Sequence, residues 1–191
     1  MIGASLAFLK NKNLRSVILT IIALWAIFSF WFLNSITFTS VVISILGVVA
    51  LYAIWMEVLI LYLVSFLTFS CSYALYGFLF SFNLPLWVVM IAILLIFAYI
   101  FTYLEQKSDI LGKNKFVYLF IFSLLILEVF LFLSYFLISP INRSLIITLV
   151  VYVISGFTFW VLRKDNIKNF STYIYLSVLV MMAILISAKW G

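Results

Sequence analysis

Residues 36–83 read ITFTSVVISILGVVALYAIWMEVLILYLVSFLTFSCSYALYGFLFSFN, 48 residues in which Glu57 is the one charge. A helix rises 1.5 Å per residue and a bilayer's hydrocarbon core is about 30 Å thick, so a span takes about 20 residues. One continuous helix would be more than twice as long as the membrane is thick. Two helices with a tight turn near Trp55 to Glu57 fit that length. A re-entrant hairpin gives the same parity, since non-helical backbone is tolerated at membrane depth when protein covers it.

Outside this stretch the spans are plainer. Leu14–Leu33, Leu84–Tyr103, Phe116–Ile138, Leu145–Leu162 and Phe170–Ala188 each have the length and apolar character to cross, giving seven in all. Lys and Arg concentrate in short cytoplasmic loops, which tests the count independently. With the N-terminus inside, Lys10, Lys12, Arg15, Lys107, Lys113, Lys115, Arg163, Lys164 and Lys168 fall on the cytoplasmic side, and Arg143 and Lys189 outside. A single span in 36–83 would set the basic gaps on opposite sides. The fold expected is therefore an all-α polytopic membrane helix bundle, N-terminus cytoplasmic and C-terminus external. Residues 1–191 form a single transmembrane domain, with 1–13 a cytoplasmic lead-in.

Composition supports this class and removes others. The 191 residues are 69% hydrophobic and 8% charged, against about half and about a quarter in soluble domains. The net charge of +6 is dispersed between apolar runs, so nucleic acid is not an expected partner. With no His and one Cys, Cys71, there are no materials for His-dependent triads, His-containing zinc sites, haem ligation by His or an intrachain disulfide. Both Asp residues fall in loops, and no Gly-rich phosphate loop occurs. The apolar region after Lys10–Arg15 is too long for a signal peptide and lacks a small-x-small cleavage pattern, so it reads as a retained first span. No metal or cofactor is expected.

Several stripes carry small or hydroxyl side chains at helical spacing: Ser40, Ser44, Gly47 and Ala50; Ser65, Thr68, Ser72 and Tyr76; Ser144, Thr148, Tyr152 and Ser155, with Gly156 adjacent. In lipid such faces let backbones approach closely, and interhelical packing is their plainest reading, with a lined solute pathway the alternative. Trp31, Trp87 and Trp190 near outer ends, and Trp55 and Trp160 near inner ones, match an aromatic belt. The turns Phe101–Phe116 and Phe159–Phe170 resemble one another, either as two basic cytoplasmic turns or as a duplicated hairpin.

Glu128 stands apart from this pattern. An ionised side chain in the membrane centre costs about 2.5–3.5 kcal/mol on insertion scales and usually faces the protein interior. Tyr135 lies seven residues further on along the same face. Counting twelve residues either way from Pro140 places Glu128 and Tyr152 at similar depth, so a Glu128–Tyr152 hydrogen bond is expected. These three form the candidate intramembrane polar site, as interhelical glue or as a proton- or solute-binding group. Glu57 reads as a turn residue at the positive end of the third helix. Arg143 reads as an interfacial anchor in the outer turn, with anion capture the alternative, and Cys71 as a small apolar residue.

The stretch Ser139-Pro140-Ile141-Asn142-Arg143-Ser144 leads into a span with Tyr152 and Gly156, and the chain closes on Lys189 and Trp190. Over the last third of the chain this resembles small polytopic membrane proteins of unknown function from bacteria with reduced genomes. The resemblance implies a multi-pass protein of the bacterial cytoplasmic membrane and carries no functional residues over. The expected role is non-enzymatic, an accessory or scaffold subunit whose partners are membrane lipids, other membrane subunits or its own copies. The alternatives are a small transporter or proton-coupled permease using Glu128, and a membrane-embedded lipid-modifying enzyme.

Overall fold

The computed structural model describes residues 12–34, 38–108, 115–163 and 167–187, without the side chains of 12, 104–108, 115–116, 158–163, 167–170, 173 and 183–187. The described residues form seven helices: α1 Lys12–Leu33, α2 Phe38–Met56, α3 Ile60–Ser81, α4 Leu86–Ser108, α5 Lys115–Ser134, α6 Pro140–Arg163 and α7 Ile167–Ser187. Six of them, α1 to α6, are long and apolar enough to cross a membrane. Nearly all of the lead-in, Lys189, Trp190 and the middle of each resembling turn, 109–114 and 164–166, lie outside the described residues.

The stretch 36–83 divides into two full-length helices of 19 and 22 residues. The break falls at Glu57–Leu59, two residues beyond the expected Trp55–Glu57. Glu57 and Leu59 both take left-handed backbone conformations, φ 55° and 54°. The Val58 N–H reaches back to the Ala53 carbonyl at 3.3 Å, and the Leu63 N–H bonds to Leu59 at 2.9 Å as the new helix starts. Left-handed geometry costs an L-residue roughly 1–2 kcal/mol, and neither residue is the glycine that would adopt it freely.

α3 is the axis of the bundle. In its hydrophobic window 72% of residues are buried, against 33% in α1, α2, α4 and α5, and it packs on α1, α2, α4 and α6. α5 packs on α4 and α6, and α7 on α6. The main core joins Leu19 and Ala23 of α1, Leu63, Leu67 and Tyr76 of α3, Ile93 and Phe97 of α4, Ile126 and Phe130 of α5, and Ile147 of α6. In lipid no hydrophobic force separates this core from its surroundings, so van der Waals fit and interhelical hydrogen bonds hold the helices together.

The small-residue stripe of α2 shows that fit. Ser40, Gly47 and Ala50 are buried. A Cβ added at Gly47 would land on Ile27 Cδ1 and within 3.1 Å of Ile27 Cγ1, so α1 and α2 approach as closely as the stripe predicts. The hydroxyls behave differently. Ser44, Ser144 and Thr148 each bond to the carbonyl four residues back in their own helix, at 2.7–2.8 Å. Larger side chains supply the bonds between helices: Trp31 Nε1 donates to Ser44 Oγ and Asn34 Nδ2 to Tyr73 Oη, both at 2.7 Å, and Tyr99 Oη donates to the Arg15 carbonyl at 3.4 Å.

Candidate functional site

α5 buries Leu119, Ser123, Ile126, Leu127, Phe130 and Leu133. Its opposite face carries Tyr118, Ile121, Leu125, Glu128 and Phe132, all exposed at alternating spacings of three and four, and Tyr135 extends the series past the helix end. Glu128 therefore points away from the bundle, and Tyr135 is 82% exposed. Tyr152 is half-buried on α6. The chain does not gather these three into one enclosed interior site; Glu128 and Tyr135 share an outer face.

Glu128 lies six residues before the end of α5, about 9 Å along the axis. Helical side chains lean toward the N-terminus of their own helix, and here that direction leads away from the nearer end. The carboxyl is thus aimed along the longer path through the apolar layer. Beside this face, Leu125 joins Ile146, Leu149 and Val150 of α6 and Val178 and Met181 of α7 in lining an apolar groove of about 630 Å³.

A second polar cluster is enclosed, and it lies where α3, α5 and α6 meet. Tyr76 is fully buried; its ring stacks on Phe130 with centroids 3.9 Å apart and planes 7° from parallel, and its hydroxyl donates to the Phe130 carbonyl at 2.9 Å. Arg143 is 6% exposed. Its guanidinium carbon lies 4.3 Å from the Phe80 ring centre and 5.4 Å from that of Tyr76, within cation–π range. Nη2 donates to the Phe136 carbonyl in the α5–α6 connection. Nε and Nη1 are buried without a hydrogen-bond partner. One and two turns below Tyr76, the Ser72 and Thr68 hydroxyls are likewise buried and unpartnered.

Arg143 is therefore enclosed by protein and belongs to the first turn of a helix, a correction to its reading as an anchor in the outer turn. The reason is the start of α6. Pro140 takes the first helical position, where its missing N–H costs nothing, and Ser139 caps it: the Asn142 N–H bonds to Ser139 Oγ at 3.3 Å and the Arg143 N–H to the Ser139 carbonyl at 3.1 Å. The helix consequently begins five residues before the expected Leu145, and Arg143 falls within its first turn. The Ser-Pro pair was the signal for this.

No protein-family model, no curated protein and no solved structure matches the chain.

Proposed function

We propose that the chain is a seven-span, non-enzymatic protein of the bacterial cytoplasmic membrane, N-terminus inside and C-terminus outside. In this reading it is an accessory or scaffold subunit that docks on its partner through the outer face of α5. The observation carrying the reading is Glu128, an exposed acid in an otherwise apolar and aromatic stripe. Against lipid an ionised side chain is disfavoured by about 2.5–3.5 kcal/mol at mid-helix; against a transmembrane helix offering hydrogen-bond donors, that cost becomes an attraction. The spacing of three and four from Tyr118 to Tyr135 is the seam that a second helix follows in left-handed packing. An acid on the outer face also suits docking better than an internal proton path.

The test is extraction of native membranes into polymer-bounded discs. Wild type is expected to emerge with a second chain, a copy or another subunit, in fixed ratio, and Glu128→Leu as the single chain, melting at the temperature of wild type freed of its partner. Wild type emerging alone would overturn the reading. So would a melting temperature for Glu128→Leu below that of wild type freed of its partner, because the residue would then pack within its own bundle.

A further inference from the structure

Arg143 raises a question of charge that the fold leaves open. A guanidinium stays protonated in proteins, and a buried cation is costly unless it is paired. The chain holds five carboxylate side chains. Glu57 sits in the α2–α3 turn, where Tyr103 feels its charge together with that of Arg15, at the end of the bundle remote from Arg143. Glu105 belongs to the last turn of α4, Asp109 and Asp165 fall in the α4–α5 and α6–α7 connections, and Glu128 points outward from α5. Neither Glu57 nor Glu128, the two carboxylates whose side chains are described, is placed to neutralise Arg143. The aromatic faces of Phe80 and Tyr76 compensate in part, and the Phe136 carbonyl takes one N–H.

The remaining donors have a definite shape. Nη2 carries two N–H bonds, one beside Nε–H and the other beside an Nη1–H. Whichever of the two is given to Phe136, the other still forms a two-pronged edge with Nε or Nη1, and both of those atoms are unpartnered. Such an edge matches two oxygens of a phosphate or carboxylate. Its depth also fits: Arg143 is three residues into α6, about 4.5 Å below the helix start, at the level where an apolar layer gives way to headgroups. Around it the end of the bundle is rimmed by exposed Phe82, Trp87, Phe136 and Leu137. Phe80, whose ring lies over the guanidinium, is itself 45% exposed, so the guanidinium lies one ring beneath the surface.

We propose that Arg143, with Tyr76 and Phe80 as its walls, is the anchor of a binding site for a phosphate-type oxyanion at the end of the bundle where α3 and α6 meet. The phosphate belongs either to an anionic lipid headgroup or to a free solute, and the two sources separate experimentally. This site is independent of the α5 docking face.

The experiment uses the full chain, purified in a non-ionic detergent with chloride as the only anion. Phosphatidylglycerol and inorganic phosphate are titrated separately at matched ionic strength while the melting temperature is followed. A saturable rise with phosphatidylglycerol alone identifies a lipid headgroup; a rise with inorganic phosphate identifies a free anion. Arg143→Lys keeps the charge and loses the fork, so half-saturation should move at least tenfold higher. The proposal is overturned if neither anion gives a saturable rise in wild type, a result that does not depend on any variant folding. It is equally overturned if Arg143→Lys responds as wild type does, because the anion would then sit elsewhere.

Discussion

Tyr76 stacks on Phe130, donates its phenolic hydrogen to the Phe130 carbonyl and lies under the Arg143 guanidinium, and substitution can separate these contributions. Tyr76→Phe keeps the ring and removes the donor; interhelical bonds of this kind are worth about 0.6 kcal/mol and at most about 1.7. Tyr76→Ala also empties a fully buried volume and should cost several-fold more, about 3–5 kcal/mol by comparison with other large-to-small core changes. Reversible unfolding in mixed micelles checks both, and equal losses would mean that the ring contributes nothing beyond its hydroxyl. The stripe holding Tyr76 is legible in the sequence; its partner is not, because Arg143 lies far along the chain and its enclosure depends on where α6 begins. For Glu128 the sequence yields depth without direction, since α5 is apolar on every side. Ser123 was the one usable clue. It lies five positions back, about 140° around a helix of 3.6 residues per turn, so a buried Ser123 obliges Glu128 to face outward.

Between elements, packing in this protein depends on what is missing from glycine. The absent Cβ of Gly47 leaves room for Ile27, and that of Gly77 leaves room for Leu33, so α1 is seated against α2 at one point and α3 at the other. Gly47→Leu should push α1 from α2 and lower stability by about 1–3 kcal/mol, the usual range for overpacking. The control is Val48→Leu, one residue on and 67% exposed, which should leave the melting temperature unchanged. If the two variants melt together, the stripe meets lipid. This contact was readable from spacing alone, because small residues at three and four apart mean close approach in lipid whatever lies opposite. The role of the hydroxyls was not. A Ser or Thr on a helix can bond to the carbonyl of its own previous turn, and Ser44, Ser144 and Thr148 do so.

At the scale of the whole molecule, the number of crossings decides which side each connection occupies. Reporters fused after Lys113 and Lys168 should be cytoplasmic and one after Gly191 external; a cytoplasmic C-terminus would remove the seventh crossing. The helical class and the division of 36–83 follow from length against bilayer thickness, which is why they could be read without contacts. The position of α3 as the axis could not, because α6 shares its lower mean hydropathy, 1.5 against 1.6, and only packing distinguishes the two.

The turn at Glu57–Leu59 contains neither glycine nor proline, and two of its residues hold a backbone conformation that L-amino acids resist. By its own preferences the segment would continue as a single rod of about 70 Å. The finite thickness of a bilayer favours the reversal, because an apolar rod of that length would run out through the headgroups. The hairpin thus suits the bilayer as well as the chain: each arm is the length of one crossing, and the reversal falls where an apolar helix would otherwise run on into water.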